Sequence, residues 1–288
     1  MLGHISYYDY GLKIDRLTYS FHMPLFVMIS GYFTHHQTNR HFVKSILKLL
    51  GLYIIFQTFH VMYYSLAEGQ LVSINSYLDP SLALWYLLCL IYWRCAYHFL
   101  KATRIKLHQC FAISILLSVI SGYVPLGNDF LAFQRAFSFL PFFLFGMMMR
   151  NENTRRAVME IKSSIVLPLL ILSLAFSIFL PHFMPRSPYQ LWYEPILRLV
   201  QSLLAFVICI GILRYFPKRI PKLFCTLGQW TLYYYLYHTI FVRYLSHILN
   251  DYHVRLNVIE AVICVALMVI IITMMRRIRF FRLLVLER

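Results

Sequence analysis

Two histidines mark where this chain could do chemistry. His4 and His22 each adjoin an apolar segment. An imidazole titrates near neutrality, so either can take a proton from an attacking hydroxyl, the step that acyl transfer to an alcohol requires. The competing reading of a single histidine in such a place is an interfacial side chain hydrogen-bonded to backbone or water. Other reaction signatures are absent: the sequence has no HExxH, no GxSxG, no Gly-rich phosphate loop and no pair of carboxylates at helical spacing. Metalloprotease, serine hydrolase and ATPase chemistry lose support accordingly. Ser30 has no evident base beside it, so Ser30-Gly31 reads as a place for close helix packing or backbone approach to a ligand, not as a nucleophile. The cysteines Cys89, Cys95, Cys110, Cys209, Cys225 and Cys264 form no CxxC pair and mostly fall in apolar runs. They read as small buried hydrophobes, with neither a metal site nor a disulfide framework.

The elements that hold these residues are membrane spans. The 288 residues are 60% hydrophobic and 13% charged, and a mean hydropathy of +0.64 is too high for an ordinary water-soluble domain. With 10 Gly, 11 Pro and no fixed-period repeat, collagenous, solenoid and largely disordered chains are excluded as well. Aromatics make up 17%, as expected when many helix ends lie in interfacial belts, and this excludes a single-pass anchor. The net charge of +16 would point to nucleic acid only if it lay on one soluble face.

Apolar runs recur along the chain, and a bilayer core needs about 20 apolar residues per helix. Nine are recognised: Phe21 to Phe33, Ile46 to Leu66, Ser81 to Leu100, Cys110 to Val124, Ala136 to Met149, Ser163 to Leu180, Ile196 to Phe216, Leu227 to Leu249 and Leu256 to Met275. Three are short, so those helices are expected to extend into flanking residues or to line a bundle interior. Placing the segment after the first run in the cytoplasm puts 20 of the 27 Lys and Arg on that side and leaves 7 on the other. The positive-inside rule then gives a multi-pass protein of the cell membrane with a cytoplasmic C-terminus, and the loops around Asp79, Asp129 and Asp251 outside. The basic excess is topology, and no nucleic acid is expected among the partners. Nine runs put the segment before Phe21 outside, yet Met1 to Ile5 reads as the tail of another apolar helix. The expected fold is an all-α polytopic integral membrane helix bundle, with nine recognisable spans plus a truncated first one. No signal peptide with a basic start and apolar core fits before Asp9, so insertion is expected to rely on the spans.

Phe21-His22-Met23-Pro24-Leu25-Phe26, followed at once by Ile29-Ser30-Gly31-Tyr32-Phe33, resembles the second-helix signature of acyltransferase family 3. Further resemblance follows in family order. Leu84-Trp85-Tyr86-Leu87 leads to Trp93-Arg94, then come Phe139-Leu140-Pro141-Phe142-Phe143-Leu144-Phe145-Gly146 and Gly228-Gln229-Trp230-Thr231-Leu232-Tyr233 leading to Leu236-Tyr237-His238. The pattern covers nearly the whole chain and is most like the fucose O-acetylase branch. It implies one membrane-embedded acyltransferase domain over residues 1–288, of about ten helices in an intact relative. Such a protein moves an acyl group, commonly acetyl from cytoplasmic acetyl-CoA, to a hydroxyl of an extracytoplasmic glycan in a bacterial envelope. The family carries an Arg, ten intervening residues and a His in its first helix. Gly3-His4 resembles the end of that motif, and the Arg would fall eight residues upstream of Met1. Either the start lies further upstream, or this copy lacks a complete site.

The resemblance implies roles residue by residue. His4 is the expected base. His22, at the outer mouth of its helix with Pro24 beside it as a helix starter, is expected to orient the acceptor or assist the base, against simple helix-start hydrogen bonding. Arg40, Lys44 and Lys48 are expected to hold the phosphates of acetyl-CoA, against ordinary positive-inside charge; lysines in place of an Arg pair supply point charges without bidentate geometry. Arg135 is expected to meet the acceptor sugar, against snorkelling at a helix end. Trp85 and Trp230 read as packing or interfacial anchors whose faces can also stack on a pyranose, and His238 is expected to line the same cavity. Arg198 and Gln201 must face protein, water or the interface. Acetyl-CoA enters as cosubstrate, with no metal. The partners are the bilayer, a polysaccharide, oligosaccharide or lipid-linked glycan as acceptor, and polysaccharide-assembly proteins. The rival readings are a polytopic transporter or flippase of glycan precursors and an inactive relative acting as scaffold or sensor.

Overall fold

A computed structural model of the chain describes residues 14–35, 38–69, 72–100, 103, 105–125, 129–180, 188–217, 219–251 and 258–285. His4 and the Met1 to Ile5 segment lie outside the described residues. Every regular element among the described residues is helical. In chain order they are α1 (Ile14–Phe33), α2 (Asn39–Glu68), α3 (Asn75–Leu78), α4 (Trp85–Leu100), α5 (Leu107–Ile120), α6 (Phe133–Met148), α7 (Glu152–Met159), α8 (Ser163–Phe179), α9 (Glu194–Tyr215), α10 (Lys222–Gln229), α11 (Thr231–Asp251), α12 (Val258–Met275) and α13 (Arg279–Leu284). Tighter 3₁₀ turns occupy Leu82–Leu84, Ser121–Tyr123 and Phe130–Ala132.

The fold is all-α, and its side-chain distribution is that of a membrane bundle. On α5 and α8 the serines Ser114, Ser118, Ser173 and Ser177 are buried, while Leu116, Ile171, Leu172 and Phe176 are exposed. This inversion would be unfavourable in water, where exposed apolar surface costs about 25 cal/mol per Å². In hydrocarbon, polar groups must find partners within the protein. Asn39–Ala67, Phe130–Met148 and Glu194–Tyr215 are each long and apolar enough to cross a bilayer. The pair α7 and α8, bent by 79° at a short break, meets the same criterion together, and Leu107–Tyr123 and Ile259–Met275 are shorter apolar helices.

The packing falls into two compact units. One contains Lys44–Leu87 and Pro217–Arg288; in it α11 packs on α12 and on the Leu82–Leu84 turn, with Val242, Ala261 and Met268 forming a small core. The other contains Arg16–Val43 and Leu88–Phe216; in it α5 packs on α6, α8 on α9, and α9 on α5.

Short apolar runs do extend beyond their apolar limits. The first begins as helix by Ile14 and the fifth by Phe133. Pro24 consequently stands inside α1, not at a helix start, because Ile14 to Phe21 already forms two turns ahead of it. A proline there removes one i to i−4 bond, a cost tolerated where the surrounding bundle holds the backbone. Two runs are interrupted. Ser81 to Leu100 opens as a 3₁₀ turn with Leu82 at φ 48° before α4 begins, and Leu227 to Leu249 breaks at Trp230, whose φ of −100° and ψ of 15° end α10.

Candidate active site

His22 lies two turns into α1, half-buried. Its Nδ1 is 2.7 Å from the Thr18 carbonyl oxygen one turn back. A carbonyl can only accept, so Nδ1 carries the proton and donates. The neutral ring then keeps its lone pair on Nε2, the tautomer a base needs. Tyr19 meets the ring edge-on at 5.1 Å between centroids, and Cys209 of α9 donates through Sγ to the Phe21 carbonyl at 3.8 Å. The imidazole is thus held from its own helix and its backbone is tied to α9.

The remainder of the α1 motif positions the helix against α6. A Cβ on Gly31 would collide with the Phe143 carbonyl, and a Cβ on Gly146 with the Met28 carbonyl and, at 3.0 Å, the Tyr32 nitrogen. The two helices therefore approach backbone to backbone through reciprocal glycines, as small-residue membrane interfaces do. At the far end of α1, Arg150 Nη1 donates to the Thr34 carbonyl at 2.5 Å and Arg155 Nη1 to the Tyr32 hydroxyl at 3.3 Å.

Arg135 sits on the first turns of α6, paired with Asp129. Its Nη2 lies 2.9 Å from Oδ1 and 3.3 Å from Oδ2, with the two side chains 11% and 21% exposed. Between them Leu131 and Ala132 take φ of 50° and 55°, left-handed values that cost a non-glycine residue on the order of 1 kcal/mol or more each. The turn is held from α4: Tyr92 Oη donates to the Leu131 carbonyl at 3.1 Å, Cys89 Sγ to the Ala132 carbonyl at 3.8 Å and Trp93 Nε1 to the Ala136 carbonyl at 2.9 Å. Gln134 donates to the Val124 carbonyl at 2.9 Å.

Arg198 is buried, in line with the requirement that it face protein. Its Nη1 donates to the Ser118 carbonyl and the Ser121 hydroxyl at 3.2 Å and to the Ser138 hydroxyl at 3.4 Å, with the Tyr189 ring 4.5 Å from the guanidinium carbon. Burial raises the pKa of the Tyr189 phenol, and Arg198 opposes part of that rise.

The unit built from Lys44–Leu87 and Pro217–Arg288 holds a second group. His238 is buried on α11 with Nδ1 2.8 Å from the Tyr234 carbonyl. Beside it on the same helix, Thr239 donates to the Leu236 carbonyl, so its oxygen accepts from His60 Nε2 at 3.1 Å. Both partners are 1% exposed. Gln57, one turn before His60, bonds the Ser76 and Asp79 carbonyls and the Ser81 amide. Trp85 is buried beside Tyr86, 6.2 Å between ring centroids, and Tyr235 donates to the Ala83 carbonyl. Trp230 lies under Arg276, whose guanidinium carbon is 4.3 Å from its ring.

Arg40, Lys44 and Lys48 are exposed on successive turns at the start of α2. Among the described residues no three His, Cys, Asp or Glu side chains gather as a metal site would require. Sequence reasoning missed His60 and did not pair Asp129 with Arg135. The first leaves a signal, since Gln57 and His60 fall three apart in an apolar helix and so share a face. The second depends on a left-handed turn that neither Leu131 nor Ala132 announces.

The described fold is that of an all-α membrane protein, and His22 sits half-buried in one of its helices with Nδ1 bonded to the Thr18 carbonyl. The family model described as an acyltransferase domain, that of acyltransferase family 3, matches residues 1–277 of the 288. The chain belongs to this family and is a membrane acyltransferase. Neither a curated protein nor a solved structure gives a significant match.

Proposed function

We propose that the protein transfers an acyl group, acetyl from acetyl-CoA, to a hydroxyl of an exported or envelope carbohydrate. The observation that carries the reading is the family match across residues 1–277, and the Nε2 lone pair of His22 supports it. In the reaction the acceptor hydroxyl attacks the thioester carbonyl while an imidazole takes its proton; the C–S bond breaks, and the CoA thiolate leaves and recovers a proton. His4 is the base that the family motif implies, and His22 is the second imidazole, able to accept a proton through Nε2 or to orient the hydroxyl. The orientation rests on the positive-inside rule, which places the basic ends in the cytoplasm with the donor and the Asp129–Arg135 turn outside with the acceptor. There Arg135, positioned by Asp129, is the cation assigned to the acceptor sugar.

The test is transfer of radiolabel from acetyl-CoA to envelope glycan by the purified protein, with His4→Ala and His22→Ala compared with the parent. Loss of transfer by about 10²-fold or more, the usual contribution of a general base, is expected for His4→Ala. Parent-level transfer by both variants would remove the imidazoles from the chemistry, and no transfer by the parent would favour a transporter or an inactive relative.

A further inference from the structure

A cavity of about 390 Å³ lies in the unit that contains His22, where α4 ends, α5 begins and α6 passes into α7. Leu100, Leu107, Met147, Tyr97, Arg150 and Asn151 are among its lining residues. The volume falls in the range of small-ligand sites. Leu107 is the first residue of α5, and Asn151 is the N-cap of α7, its Oδ1 accepting from the Thr154 amide. The cavity therefore meets two helix N-termini, each carrying partial positive charge. Arg150 adds a full charge that is already positioned, because one of its five N–H groups is bonded to the Thr34 carbonyl. Nearby, Phe42 stacks on His98 at 4.1 Å between ring centroids, next in sequence to Tyr97, and brings the exposed Arg40 end of α2 to the end of α4. Aliphatic side chains, an aromatic ring and a cation lining one space suit a flat heterocycle that carries phosphate.

We propose that this cavity binds the nucleotide end of the acyl-CoA donor, with the adenine among Tyr97 and the aliphatic walls and phosphate at Arg150. The inference rests on the donor and orientation proposed above, which put this end in the cytoplasm, and it assigns residues other than the α2 cations to the donor.

Thr103 is exposed at the cavity lining, which allows a readout independent of turnover. In the full-length protein, maleimide labelling of Thr103→Cys is followed with and without CoA, and the native exposed Cys225 serves as an internal control. CoA is expected to slow labelling at position 103 several-fold and leave Cys225 unchanged; pantetheine, which lacks the nucleotide, is expected to protect neither. Arg150→Gln should raise the CoA concentration needed for protection about tenfold, the scale of one charge-assisted hydrogen bond. Leu107→Trp should abolish protection by filling the space while leaving the Arg150 bond to Thr34 in place. Acetyl transfer by the parent without CoA protection would overturn the cavity assignment and leave the acyltransferase reading standing. Protection without transfer would support the cavity and count against the activity. Equal protection by ADP, ATP and CoA would replace the donor with a free adenine nucleotide and so overturn the proposal.

Discussion

Gly31 and Gly146 form a reciprocal pair: each presents a bare α-carbon to the backbone of the other's helix, Gly31 to the Phe143 carbonyl and Gly146 to the Met28 carbonyl. This contact explains why glycine stands at both places in the two sequence motifs. It sets α1 against α6, so the helix that carries His22 and the helix that carries Arg135 share one close interface. The close backbone approach sets the register between the helix that carries the imidazole and the helix that carries Arg135.

Because the clash in each alanine variant is with backbone, neither helix can yield by rotating a side chain. Gly31→Ala and Gly146→Ala are therefore each expected to lower stability by about 2 kcal/mol or more, at the upper part of the range for overpacking. Gly228→Ala supplies the contrast, since nothing lies within 4 Å of the added carbon. It is expected to be neutral or stabilising by a few tenths of a kcal/mol through helix propensity. Thermal unfolding of the detergent-purified variants checks both directions.

The Nδ1 bond to Thr18 makes a separate prediction about His22. Asparagine can place an amide N–H near the position of Nδ1 but has no counterpart to the Nε2 lone pair. His22→Asn is expected to fold like the parent and to lose acetyl transfer by roughly 10²-fold or more. A melting temperature well below the parent's would instead make the packing of the ring against Tyr19 structural, and parent-level transfer would remove Nε2 from the reaction.

Arg198 is expected to act as a structural staple among α5, α6 and α9. Arg198→Met keeps much of the side chain's length and removes its charged hydrogen bonds to the Ser118 carbonyl, Ser121 and Ser138. Loss of about 2–3 kcal/mol is expected on the scale of a hydrogen bond to a charged group. Ser138→Ala, which removes one acceptor at 3.4 Å, should cost less. Urea midpoints in a common detergent would rank the two, and the reverse order would move the main support of α6 away from Arg198.

The helices were legible because lipid imposes a length and a composition on each of them. The nine apolar runs fall on helical segments, although Leu256 and Asn257 lie outside the described residues. Ends were less legible, since polar residues flanking an apolar run continue the helix once the bundle supplies partners, as Ile14 to Ser20 do ahead of Phe21. Of the candidate site, His22 was readable from its motif, and its tautomer was not, because that depends on which carbonyl its ring meets. His60 was hidden by the same apolar context that makes its bond to Thr239 necessary. The partnership of Arg135 with Asp129 was hidden by the turn between them, where two residues of ordinary type take left-handed angles.

That turn supports the last prediction. If Asp129 orients Arg135, the two side chains are coupled, and their low exposure makes the coupling larger than that of a surface ion pair. Asp129→Asn and Arg135→Gln are each expected to destabilise the protein by about 1–3 kcal/mol, the double variant by clearly less than the sum. Functionally the two variants should act alike on the acceptor: KM for glycan rises in both, while KM for acetyl-CoA stays at the parent value. Additive stability losses would show that the pair is not coupled. A rise in the acetyl-CoA KM with an unchanged glycan KM would move Arg135 from the acceptor side of the reaction to the donor side.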